Sequence, residues 1–130
     1  MLATDEYLIE PSGVWPTFIT EPEFEKGWKD LNLTDDAMME LERVLARNPR
    51  AGPLIDGAGG FRKYRFQLSD SNRGQSAGAR IIYIEFVERS SKIYLSRCYS
   101  HKGIDILSGR RKMKTIKWLR NRAKEYKEEN

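Results

Sequence analysis

Along residues 61–68, FRKYRFQL, apolar and polar positions alternate with a period of two. Tyr64, Phe66 and Leu68 share one face, and Lys63, Arg65 and Gln67 share the other. This predicts a strand with one buried side. Residues 79–87, ARIIYIEFV, are apolar on both faces, as a central strand is. Residues 92–99, KIYLSRCY, follow after the short turn ERSS, so the two runs are expected to form an antiparallel hairpin. An earlier short run, TFIT at 17–20, is also β-prone.

Between these strands the period lengthens to that of a helix. Phe24, Trp28 and Leu31 recur at i, i+4 and i+7 behind Thr20, read as an N-cap, and Glu21-Pro22, read as a first turn. A second helix is predicted from Thr34, whose hydroxyl can cap, with Asp35 and Asp36 well placed against the helix dipole. Met38, Leu41, Val44 and Leu45 form its apolar stripe, and Asn48-Pro49 stops it. A glycine- and proline-rich loop leads to the sheet. A last, basic helix is predicted behind a cap at Ser108, with Met113, Ile116, Leu119 and Ala123 inward. The expected architecture is a small α+β domain of order β-α-α-β-β-β-α, a curled antiparallel sheet packed against helices. It spans residues 17–130, with 1–16 as an N-terminal extension.

A chain of 130 residues suits one such domain. No apolar run approaches the roughly 20 residues that cross a bilayer. The start, MLATDEYLIEPSGVW, is acidic and lacks the basic and apolar regions of a signal peptide, so a cytoplasmic protein is expected. Cys98 is the single cysteine, expected to be a buried thiol, and His101 is the single histidine. Together they cannot make a zinc cluster, and no metal or cofactor is expected.

Charge changes the picture more. Residues 1–60 carry 5 Lys and Arg against 12 Asp and Glu, while residues 61–130 carry 18 against 7. A field this polarised suits an anionic partner for the second half, although many of these cations would also serve to solubilise the surface. Lys63 and Arg65 lie on one strand face, roughly 7 Å apart. Arg80 can join them if the 79–87 strand pairs alongside.

Three stretches carry a family resemblance. Residues 48–63 fit NP-x-x-G-x-x-I-x-G-x-G-G-x-R-K, residues 73–83 fit R-G-x-x-x-G-x-R-x-I-Y, and the strand ending at Tyr99 opens a segment like Y-x-K. In this ordered series the chain resembles, over about residues 17–125, the RelE/HigB toxins of bacterial type II toxin–antitoxin systems. The resemblance implies a ribosome-dependent mRNA endoribonuclease that cuts codons in the A site without metal, leaving a 2′,3′-cyclic phosphate. It also implies partners: the ribosome, mRNA, and a cognate antitoxin of the helix-turn-helix, HigA-like kind, through which alone operator DNA would be contacted.

By matched position the resemblance makes Lys63, Arg65 and Arg80 catalytic, with Arg80 on the scissile phosphate. Such cleavage requires a base at the 2′-OH, positive charge at the phosphorane and an acid at the 5′-oxygen. Arginine grips phosphate bidentately and lysine can act as acid or base. His101 stands where many relatives have lysine, and its ordinary pKa suits either acid or base, though a loop histidine without such a role would look the same. Arg73 and Lys102 are candidate phosphate clamps, and Arg62 a weaker RNA contact because it lies on the opposite strand face. A tyrosine found at the start of the last helix in RelE has no counterpart, since Ile106 and Leu107 stand there, which leaves Tyr99 as the candidate for base contact.

Other signals stay open. Gly57-Ala58-Gly59-Gly60 resembles a GxxG clamp but reads better as a turn leading into a strand. The basic last helix suits contact with ribosomal RNA or an acidic antitoxin segment, although a solvated face would look much the same. Trp28 and Trp118 are expected to be packing residues. Two rival functions remain: a ParE-like gyrase inhibitor on the same fold, and a small basic RNA- or ribosome-binding protein without catalysis.

Overall fold

A computed structural model describes residues 15–67 and 78–130. The elements run β1 (Thr17–Thr20), α1 (Pro22–Asp30), α2 (Asp35–Arg47), β2 (Arg62–Phe66), β3 (Ala79–Phe86), the one-turn α3 (Val87–Ser90), β4 (Lys92–Ser100) and α4 (Lys112–Glu129). The class is α+β. The four strands stand in the order β1-β4-β3-β2. β2, β3 and β4 are antiparallel, the β3–β4 pair as its short connection predicts, but β1 pairs with β4 in parallel. The sheet is therefore mixed, contrary to the all-antiparallel expectation. A single strand cannot reveal its direction of pairing, because its apolar pattern is the same either way.

The helices cover both faces. α1 and α2 place Phe24, Trp28, Leu41 and Leu45 against Phe66, Ile81, Tyr83, Ile93 and Leu95. α4 places Leu119, Ala123 and Tyr126 on the other face, against Ile82, Ile84, Phe86 and Tyr94. The apolar two-faced run of β3 needs this arrangement. Gly27 lets α1 approach closest: a Cβ there would meet the carbonyl oxygen of Cys98 at 1.9 Å. Cys98 is buried, and burial pushes its thiol pKa up to about 12.

Thr34 caps α2 through its hydroxyl, which accepts from the Ala37 N–H at 3.1 Å. The other two expected caps differ. Glu21, not Thr20, is the residue before α1, because Thr20 stays paired to Leu95 at the end of β1. Its hydroxyl instead donates to the Glu25 carboxylate. Ser108 precedes a single 3-10 turn, Gly109–Arg111, without a capping hydrogen bond, and its hydroxyl donates to the carbonyl of Asp105. α4 starts at Lys112, and Met113, in its first turn, lies out of phase with the buried stripe of Leu119, Ala123 and Tyr126 and is 77% exposed. Tyr126 takes its place in the stripe, stacked on Tyr94.

One irregularity matters for function. Between Ile82 and Tyr83 the register with β4 slips, so that Ile82 pairs with Arg97 and Tyr83 with Leu95. Ser96 is the extra residue of this bulge and is fully buried. Strict alternation from Leu95 would turn Arg97 and Tyr99 toward α1 and α2. The bulge turns both to the α4 face, where Arg97 lies 4.3 Å over the ring of Trp118 and Tyr99 comes opposite Arg80. Trp118 is thus a half-open cation–π partner, not the packing residue expected, whereas Trp28 is in the core.

Candidate nucleic-acid interface

The sheet register builds the site. Arg65 pairs directly with Arg80, Lys63 follows two residues along the same face, and Tyr99 flanks Arg80 on its other side. Two like charges facing each other across a ladder repel, so the arrangement costs stability unless an anion lies nearby. Within the described chain that anion is Asp105, in the loop after β4. Its Oδ1 accepts from the Tyr99 hydroxyl at 2.8 Å and from the Leu107 N–H at 2.9 Å. Its Oδ2 faces Arg80 Nη1 at 3.6 Å and Lys63 Nζ at 3.9 Å.

Those two distances are too long for hydrogen bonds. Arg80 Nε and Nη1 are thus buried without a hydrogen bond among the described residues, with only the longer ion pair to Asp105 beside Nη1, on a side chain 12% exposed. A buried guanidinium with free donors is costly by itself, and an anionic oxygen at hydrogen-bond distance would relieve that cost. Lys63 is 32% exposed, and Arg65 lies exposed at the rim. The three cations thus grade from buried to open, a cradle that a phosphodiester can enter from one side.

Burial on its own would raise the pKa of Asp105. Hydrogen bonds from Leu107 and Tyr99 and the charges of Lys63 and Arg80 outweigh it and hold the carboxyl below its usual range. The Tyr99 phenol is pushed the other way, by burial first and then by its hydrogen bond to Asp105, so it stays a donor at physiological pH. Arg80 lies 5.8 Å over the Tyr99 ring. This ring is half-buried and pinned at both its hydroxyl and one face, so it serves as a support for Arg80 more than as an open platform for a base.

His101 is half-buried at the end of β4. Its Nδ1–H donates to the Gly78 carbonyl at 3.1 Å, because a carbonyl can only accept. In the neutral ring Nε2 is then the unprotonated nitrogen. Lys102 is exposed, its backbone N–H held by the Ser100 hydroxyl. Arg62 stands apart from the cluster: its Nη1 donates to the Gly52 carbonyl at 2.8 Å, and Tyr83 ties the same loop by accepting from Gly52 N–H and donating to the Pro49 carbonyl. Arg73 lies outside the described residues. Among α4 cations, Arg120 donates to the Gly57 carbonyl and Arg122 to Glu21 and Glu125, which gives these two structural duties on the otherwise basic helix.

Asp105 is the residue that sequence reasoning passed over. A signal existed, since it is the only acid between Glu88 and Glu125. Among the described residues no group of three or more His, Cys, Asp or Glu gathers as a metal site. No described helix is long and apolar enough to cross a membrane. No protein-family model matches the chain.

Proposed function

We propose that this protein is a metal-independent mRNA endoribonuclease of the RelE/HigB type, the toxin of a type II toxin–antitoxin pair, acting in the cytoplasm on mRNA in the ribosomal A site. The observation that carries the reading is Arg80: a guanidinium with two buried donors that make no hydrogen bond among the described residues, backed by Lys63 and Arg65 on one sheet face. Such a cradle suits a scissile phosphate. The 2′-oxygen attacks phosphorus as its proton leaves to a base, the bond to the 5′-oxygen breaks, and that oxygen takes up a proton. The products are a 2′,3′-cyclic phosphate and a 5′-hydroxyl. Arg80 would hold the non-bridging oxygens, and Lys63 and Arg65 would offset charge growing at the phosphorane. His101, oriented through Nδ1, offers Nε2 for one of the two proton transfers.

The proposed partners are the ribosome, mRNA and a helix-turn-helix antitoxin that masks the cations. The test is a purified translation reaction with the native protein, followed by mapping of mRNA 5′ ends. New ends within translated codons, each paired with an upstream 2′,3′-cyclic phosphate, are the expected outcome. Intact mRNA with tight ribosome binding would point to a non-catalytic binder. Intact mRNA with inhibited DNA supercoiling would point to a gyrase inhibitor.

A further inference from the structure

Beside the cation cluster lies a cleft of about 310 Å³, walled by Pro53 and Leu54 on one side and by Leu107 and Ile116 on the other, with Lys63, Lys112 and Asp56 at its charged edges. It is a built feature. The segment Pro53–Ile55 runs along β2 as an added edge, with the Lys63 N–H donating to the Pro53 carbonyl and the Ile55 N–H to that of Phe61. The glycine turn that follows is seated on α4. Gly59 has φ +74°, and a Cβ there would meet that of Ala123 at 2.8 Å, so only glycine lets the loop close down on the helix. Arg120 ties the same turn through the Gly57 carbonyl.

The cleft and the cation cluster are continuous. Lys63 belongs to both, and Leu107, a cleft wall, gives its N–H to the Asp105 carboxylate that faces Arg80. Leu54 is left 61% exposed on the cleft wall, an apolar surface without a cover. The volume is at the small end for ligand sites, enough for one flat ring with its sugar and too little for a folded segment of a partner. Asp56 makes no hydrogen bond or ion pair among the described residues, although it lines a cleft with two lysines. A carboxylate accepts two parallel hydrogen bonds, and the base edge that supplies two adjacent N–H donors is that of guanine, at N1 and N2.

We propose that this cleft seats the nucleobase attached to the phosphate held by Lys63, Arg65 and Arg80, and that Asp56 selects guanine there. The proposal rests on the phosphate-binding reading of the cluster. Leu54, Leu107 and Ile116 sandwich the ring, Asp56 reads its edge, and Lys112 stands ready for the neighbouring phosphate.

The test is a methyl NMR titration of the full chain with 3′-GMP, 3′-UMP and inorganic phosphate, independent of ribosomes and of cleavage. 3′-GMP should move the methyls of Leu54, Leu107 and Ile116 and bind about tenfold tighter than 3′-UMP, the lower range for a bidentate base contact. Asp56→Asn should remove that preference while inorganic phosphate binds at least as tightly as before, and Leu54→Asp should weaken both nucleotides. Phosphate binding with no nucleotide effect at the cleft methyls would overturn the base seat and leave the cation site standing. Equal affinity for the two nucleotides would overturn the role of Asp56. Absence of any phosphate binding would overturn both the cleft proposal and the reading on which it rests.

Discussion

The two faces of one sheet differ in how they treat their central residue. On the α1/α2 side, Ile81 sits in a dry core with the stacked rings of Phe24, Trp28 and Phe66, and its neighbours are apolar. One residue earlier and on the opposite face, the Arg80 side chain is 12% exposed, and two of its donors make no hydrogen bond among the described residues. The first face is optimised for folding. The second is apolar only under α4, and toward the open ends of β2 and β3 it gives way to cations. Consistency between pattern and packing breaks at Arg80, and such breaks are expected where function overrides stability.

Substitutions on the two faces should therefore separate stability from activity. The largest effect is expected at Phe66, where Phe66→Ala should cost about 3–5 kcal/mol of folding free energy, read from the denaturant midpoint. Arg80→Ala should leave the midpoint nearly unchanged, since it removes a buried charge with unmet donors, and lower mRNA cleavage by about 10²–10³-fold. If Arg80→Ala unfolded the protein as Phe66→Ala does, the two faces would not differ in the way described.

A subtler change sharpens the contrast. Asp105→Asn keeps an oxygen to accept from Tyr99 and Leu107 but removes the charge facing Lys63 and Arg80. Oligonucleotide binding should tighten by about tenfold, within the limits of a partly screened charge at 4 Å. The same variant tests acid stability. Because folding lowers the pKa of Asp105, the carboxylate supports the fold fully above its ordinary value of 3.8, and that support is lost as pH falls through the lower folded value. Asp105→Asn should flatten the loss of stability on that acid side, measured by thermal melts against pH. The smallest effect is expected at Arg62, on the structural side of β2, where Arg62→Ala should cost about 1–2 kcal/mol through its lost loop hydrogen bond.

Much of this contrast could be seen in the residues themselves. The alternation of β2 separates Lys63 and Arg65 from Tyr64 and Phe66, and the two-faced β3 calls for helices on both sides. That Arg80 lands opposite Arg65 follows once the strands pair. The bulge at Ser96 could not be seen, because a single inserted residue leaves composition and apolar content untouched while reversing the parity of Arg97 and Tyr99. Asp105 was hidden for a related reason: its partners are set by a loop path, and loops carry no period. Met113 shows another limit: it lies within α4 but out of phase with the buried face that Leu119, Ala123 and Tyr126 define, a face set by tertiary packing.

Under the proposed function Arg80 serves RNA cleavage, whereas Arg62, three residues before Arg65 on the same strand, serves the fold. The most direct measurement compares the rate of mRNA cleavage in a purified translation reaction for Arg80→Ala and Arg62→Ala, with folding of both checked by circular dichroism. A loss of about 10²–10³-fold is expected for the first and a near-native rate for the second. Equal rates in two folded variants, or the greater loss at Arg62, would contradict that reading.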